Sequence, residues 1–150
     1  FVPGIPAPKG SARAFFVKKL GRAVITNANA KTKPWEQAIR SEASAIGLFP
    51  AGDAIRVVAT FTFPRPKGHF GAKGLKDSAP LANTKKPDLD KLVRALLDAL
   101  TGIAFHDDAQ VIEIVVRKGF PRAGYPNPGM HVVIETVTEV SLARNEATNG

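Results

Sequence analysis

Residues 86–111 read KPDLDKLVRALLDALTGIAFHDDAQV. Within this run Leu89, Leu92, Val93, Leu96, Leu97 and Leu100 recur at intervals of three and four. That period describes an amphipathic helix with a wide apolar stripe, ending near Thr101-Gly102. What flanks it has a different period. Upstream, Ala54 to Phe63 places Ile55, Val57, Ala59, Phe61 and Phe63 on one side and Arg56, Thr60 and Thr62 on the other, the alternation of a half-buried strand. Downstream, Gln110 to Lys118 and Met130 to Val140 are rich in valine and isoleucine, separated by a Gly/Pro-rich bend, and read as two more strands.

Working outward, Thr32-Lys33-Pro34 followed by Trp35, Ala38, Ile39, Ala43 and Ile46 predicts a second helix, with Pro34 in its first turn and Gly47 as its stop. Ala12 to Thr26 reads as two short strands around Leu20-Gly21, and the Pro/Gly-rich residues 1–11 as an extended loop. The order of elements indicates an α+β fold: a small single domain, residues 1–150, with a mixed sheet packed against helices. No internal repeat is visible.

Between Pro64 and Pro87 lie four prolines, three glycines and six basic residues, Arg65, Lys67, Lys73, Lys76, Lys85 and Lys86, opposed only by Asp77. The expectation is a flexible basic loop over about 64–87 that does not pack. A loop of this length in a small domain is usually functional or disordered. Its charge favours a DNA-contacting arm; a solvated insertion that keeps the protein soluble is the other reading.

Bulk composition narrows the field. The 150 residues are 44% hydrophobic, the common size and content of one core. Twenty-one lysines and arginines against 13 acids give a net charge of +8 and a pI near 10.1, which favours a polyanionic partner through counterion release. The absence of cysteine excludes disulfides, thiolate zinc sites and cysteine nucleophiles. No apolar run reaches the roughly 18–20 residues of a membrane span, and Phe1 to Ile5 lacks the features of a signal peptide. The expectation is a soluble cytoplasmic protein with no membrane association. The phenylalanine at position 1 suggests that the numbering starts inside the natural product or after a short leader. No Gly-rich phosphate loop, zinc-spaced histidines or serine elbow appears.

The acids are the site candidates. Asp88 and Asp90 enter the helix directly after Pro87. Residues i and i+2 share a side in an extended segment but sit about 200° apart in a helix, so this pair converges only if the helix starts near Asp90. Aspartates at a helix start also serve as caps, accepting backbone N–H bonds at the positive dipole end. A second pair, Asp107-Asp108, opens the next strand. The intervening helix of about 12 residues carries the chain about 18 Å away, so the loop 102–105 must begin a return for the pairs to meet. If they meet, an oxygen-rich site suits magnesium or manganese, whose bound water and Lewis acidity serve phosphodiester hydrolysis. Arg94, four residues after Asp90, is placed either to contact a scissile phosphate or to sit in an Asp90-Arg94-Asp98 surface ladder. His106 beside the second pair is a weaker candidate for proton transfer.

The run 86–111 closely resembles the signature of the RusA family of Holliday-junction resolvases. In that family a D-L-D motif opens a helix, a leucine-rich D-A-L stretch follows, and D-D-x-Q-V enters a strand, as at Asp88, Asp98 and Asp107 here. Pro6 to Gly10 and the Trp35-Glu36 helix also look like the family. The resemblance implies a RusA-like fold, a homodimer acting on branched DNA by paired symmetric nicks, and magnesium, replaceable by manganese, bound through Asp88, Asp90 and Asp108. Two positions depart from the family pattern: Lys91 stands where asparagine is frequent, and Arg94 where a catalytic lysine is expected. Arginine keeps a permanent charge but not the compact, tunable ammonium. The DNA-binding candidates are Lys9, Arg13, Arg65, Lys67, Lys73, Lys76, Lys85, Lys86 and Lys91. The leading functional reading is thus a Mg2+-dependent junction endonuclease of recombination and repair. The alternatives are a branched-DNA-binding protein with little or no catalysis, and a basic interaction domain whose aspartates only cap helices and turns.

Overall fold

The computed structural model describes residues 1–10, 12–27 and 29–138, with the backbone alone for 12–15, 17 and 24–27. In chain order the elements are β1 (Val2–Pro3), β2 (Ala12–Val17), β3 (Arg22–Asn27), α1 (Thr32–Ala43), β4 (Ile55–Thr62), β5 (Phe70–Gly71), β6 (Gly74–Leu75), α2 (Leu89–Leu100), β7 (Val111–Gly119) and β8 (Gly129–Thr136). This is the expected α+β class. The main sheet has the order β1-β8-β4-β7. β4 pairs in parallel with β7 and antiparallel with β8, so the sheet is mixed. A parallel pair needs a crossover, and α2 supplies it.

Both periodicities are cashed in at the same place. β4 turns Ile55, Val57, Ala59 and Phe61 inward, each at most 1% exposed, onto Leu92, Leu96 and Leu100 of α2 and Ile39 of α1, all at 0%. Burying a leucine of this kind contributes about 1.5–3 kcal/mol. α2 ends where expected. Gly102 takes φ +76, the left-handed conformation that glycine adopts at helix ends without steric cost. Its N–H donates to the Phe105 carbonyl at 2.7 Å, and the Ala104 N–H donates to Leu100 O at 2.9 Å. β2 and β3 form the expected hairpin, joined through Lys18–Leu20 and Gly21.

Three local expectations change. α1 stops at Ala43, four residues short of Gly47, and Ile46 is 46% exposed. The Ser44 hydroxyl donates to the Ser41 carbonyl at 2.7 Å, and the Ile46 N–H reaches only Ala43 O at 2.9 Å; the side-chain bond competes with the helix and the last turn tightens. Thr60 and Thr62, expected on a solvent face, are 8% and 1% exposed, and they line one cavity together with Leu81, Ala82 and Phe120. Residues 64–87, expected not to pack, carry the small β5–β6 hairpin. Arg65 fastens them: its Nη1 donates to Pro80 O at 2.8 Å and its guanidinium stacks 4.6 Å from the Phe120 ring centre. β8 ends at Thr136, whereas residues 139 and 140 of the expected strand lie outside the described residues. No helix among the described residues is long and apolar enough to cross a membrane.

The N-terminal segment is tied to both helices by one lysine. Lys9 Nζ donates to Glu36 Oε1 of α1 at 2.9 Å and pairs with Asp98 Oδ2 of α2 at 2.7 Å. The bond to Asp98 holds the Lys9 ammonium above the ordinary lysine range. A raised lysine pKa stabilises fully below the unfolded value and loses that contribution as pH rises through the folded one. Lys9→Met is therefore expected to lower stability at pH 7 by about 1 kcal/mol or less, and the deficit should fade in denaturation curves taken above the ordinary lysine pKa. Leu96→Ala removes a fully buried side chain and is expected to cost about 2–5 kcal/mol, read from the urea midpoint at constant slope.

Candidate active site

The start of α2 meets the geometric condition that its acids require. Asp88 is extended (φ −69, ψ 141) and the helix begins at Leu89, so Asp88 and Asp90 straddle the switch from strand-like to helical backbone. Neither is buried. Asp88 makes no side-chain cap bond. Instead its Oδ2 accepts from Lys91 Nζ at 3.0 Å, and that bond holds the Asp88 carboxyl below the usual carboxylate range. The capping role is not what occupies this carboxylate.

Backbone contacts from three directions hold the helix start in place. Lys118, near the end of β7, donates through Nζ to the carbonyls of Lys85 and Pro87, both at 2.7 Å. The Lys9 N–H donates to Lys91 O at 2.9 Å. Asn83, 8% exposed, accepts from the Lys85 N–H through Oδ1 at 3.2 Å. Beside this start runs a groove of about 420 Å³, walled by Pro6 to Pro8 and Phe63 and edged by Lys31, Lys86, Asp88 and Lys91. Its floor is apolar and its rim mostly cationic, the surface that suits a phosphate backbone lying across it.

The second acidic pair divides into two roles. Asp107 Oδ1 accepts from the Ala109 N–H at 2.8 Å, and Gln110 Oε1 accepts from the N–H groups of His106 at 2.8 Å and Asp107 at 3.3 Å. This reciprocal arrangement is a capping box over the short helical turn Asp108–Gln110. The Gln110 amide also donates to Pro50 O at 2.9 Å and Asp53 O at 3.1 Å, fixing the turn to the chain before β4. Asp107 is thus spent on local structure. Asp108 is exposed.

The two pairs do not meet within one chain. Lys118 of β7 touches the start of α2, while Gln110, just before β7, is fixed beside Pro50 and Asp53 at the start of β4. α2 and β7 therefore run antiparallel, and the loop 102–105 makes no return toward Asp88. The separation is about 18 Å along the helix and more than 20 Å along β7, at about 3.3 Å per residue. Aspartate side chains cannot bridge that span. Among the described residues no group of three or more histidine, aspartate or glutamate side chains is placed to hold a metal ion. The set Asp88, Asp90 and Asp108 therefore does not fit magnesium in a single chain.

Arg94 is exposed on α2, and the alternative surface ladder does not form, because Asp98 pairs with Lys9 and its carbonyl accepts from Arg40 at 3.2 Å. Lys67, Lys73, Lys85 and Lys86 are exposed, with no side-chain ion pair among the described residues. Lys76 Nζ donates to Gly68 O at 3.0 Å, Arg65 and Lys9 are engaged as above, and the side chain of Arg13 lies outside the described residues. Sequence reasoning missed Lys31, Lys118 and Gln110. Only Gln110 had a signal: Asp107-x-x-Gln110 has capping-box spacing. Lys31 and Lys118 act through tertiary neighbours that no local pattern announces.

Comparison with known proteins places these motifs. The family model for endodeoxyribonuclease RusA matches residues 5–135, a span that holds both acidic pairs and the groove. Over 78 residues the chain is 33% identical to the uncharacterized protein YqaN of Bacillus subtilis (strain 168), a stretch covering 50% of this chain and 52% of that protein. The match thus spans about half the length of that relative. With the family model covering most of its length, the chain belongs to the RusA endodeoxyribonuclease family.

Proposed function

We propose that the protein is a structure-selective DNA endonuclease that resolves four-way junctions by paired symmetric nicks, working as a homodimer with Mg2+, or Mn2+ in its place. The observation that carries this reading is the family match over residues 5–135, in a chain of net charge +8. Two further features support it. Asp88 is not used to cap its helix, and it stands at a groove with a cationic rim. A carboxylate is an unfavourable neighbour for phosphate unless something between them carries positive charge, which is the function of a bound divalent cation in nucleases.

The chain's own residues divide the work. Lys31, Lys86 and Lys91 attract the backbone to the groove. Asp88 and Asp90 supply hard oxygen ligands. Arg94, one turn on from Asp90, presents a fixed cation for a phosphate oxygen whose charge grows in the transition state. Lys67, Lys73, Lys76 and Lys85 extend the cationic surface along 64–87. Lys9 and Arg65 serve structure first, through the pairs described above.

The test compares a synthetic four-way junction with linear duplex, in Mg2+ or EDTA. Symmetric nicking of the junction alone, dependent on Mg2+, is expected. Asp90→Asn should lower nicking by about 100-fold or more, the scale of losing one preorganised charge, with junction affinity kept or raised because a phosphate-repelling charge is gone. Junction binding with no turnover by the unmodified protein in either metal would favour the binding-protein alternative, as Arg94 in place of lysine suggests. Lys85→Ala and Lys86→Ala should weaken binding and each flatten its salt dependence by about one counterion. Unchanged slopes would make 64–87 a solvated segment.

A further inference from the structure

The groove at the start of α2 continues into a second cavity, to which the functions described so far give no use. Ile5, Phe63 and Lys86 line both. The second cavity holds about 230 Å³ and is built mainly from residues 64–87, with Pro64, Pro66 and Pro80 among its walls. The rings of His69 and Phe120 form one corner of it, meeting edge to face at 5.2 Å and 85°. Its volume lies below the roughly 300–1,000 Å³ of sites for drug-sized ligands, and suits a single heterocycle. Lys85 and Lys86 stand at its edge, both exposed.

One buried polar group in this cavity has a hydrogen bond to spare. Asn83 is 8% exposed, and its Oδ1 accepts from the Lys85 N–H at 3.2 Å. A backbone N–H can only donate, so this bond fixes which end of the amide is the oxygen. Nδ2 is left as a donor with no hydrogen bond among the described residues, on a side chain that lines the cavity. Leaving a buried donor unmade is costly, so the cavity favours a ligand that carries an acceptor. A flat ring edged with acceptors and joined to a phosphate backbone that lysines attract is a nucleobase. An intact duplex holds its bases by stacking and pairing, whereas extrusion costs least for a base already unpaired. We propose that this cavity seats one unpaired nucleobase of the strand whose phosphate lies in the groove beside Asp88, with the Asn83 amide as its hydrogen-bond donor. The proposal deepens the nuclease reading above and rests on it for the identity of the strand.

The experiment measures the affinity for a synthetic four-way junction in EDTA, so that binding is read without cleavage. An abasic site is placed in turn at each nucleotide flanking the crossover, and the affinity for the intact junction is divided by that for the abasic one. At one position the ratio should reach about 10, the scale of one hydrogen bond to a buried group; the same abasic site in linear duplex should leave affinity unchanged. Asn83→Asp keeps the acceptor for the Lys85 N–H and removes the donor, while Ala82→Phe fills the cavity from an exposed position. Each should bring the ratio to about 1. The charge added by Asn83→Asp acts on both DNAs and cancels in the ratio. A ratio that no position raises in the wild type, or one that either variant retains, overturns the proposal. Protein that nicks no junction in Mg2+ but shows the base-dependent ratio would remove the nuclease reading and leave the base seat standing, and nicking without such a ratio would do the reverse.

Discussion

The antiparallel run of α2 against β7, fastened at both ends, is the constraint on which the rest of the structure depends. At one end Lys118 donates to two carbonyls before the helix. At the other, Gln110 clamps the turn before β7 to the chain that enters β4. Between these ties lie Leu92, Leu96 and Leu100, buried on β4. Sliding the helix by one turn, about 5.4 Å, would break the polar ties and expose part of the leucine stripe together.

That constraint sorts the charged residues by their use. Lys9 pairs with both Glu36 and Asp98 where the N-terminal segment crosses the helices. Asp107 caps its own turn. Arg56 joins Glu113 and Glu135 across three strands of the open sheet face. Asp90, Arg94 and Asp108 are left at the surface by this distribution, and Asp88 keeps only an exposed pair with Lys91. An exposed ion pair of that type contributes little to stability. These residues are therefore open to change for the sake of chemistry, whereas altering Lys9 or Gln110 acts first on the scaffold.

Residues 64–87 show how composition misleads when it is read without partners. Their prolines, glycines and lysines describe a segment with no core of its own, and only Asn83 in it is buried. Yet Arg65 and Phe120 anchor it. A polar segment packs when another element supplies the apolar surface it lacks. Here Phe120 supplies it, from beyond the helix and the next strand.

The sequence by itself determined the elements and their chemistry. Leucine spacing set α2, alternation set β4, the Leu20-Gly21 turn set the hairpin, and the two acidic motifs identified the family. Those features are local, fixed by backbone periodicity and by the preferences of residues a few positions apart. Only the tertiary structure decided that Asp107 is structural, that Lys9 is an intramolecular tie, that Thr60 and Thr62 are covered, and that Asp108 stands at the far end of the sheet from Asp88 and Asp90. The spacing of 18 residues between Asp90 and Asp108 is compatible with a chain that doubles back or one that does not. The choice is made by what Gln110 and Lys118 bond to, and those partners lie tens of residues away.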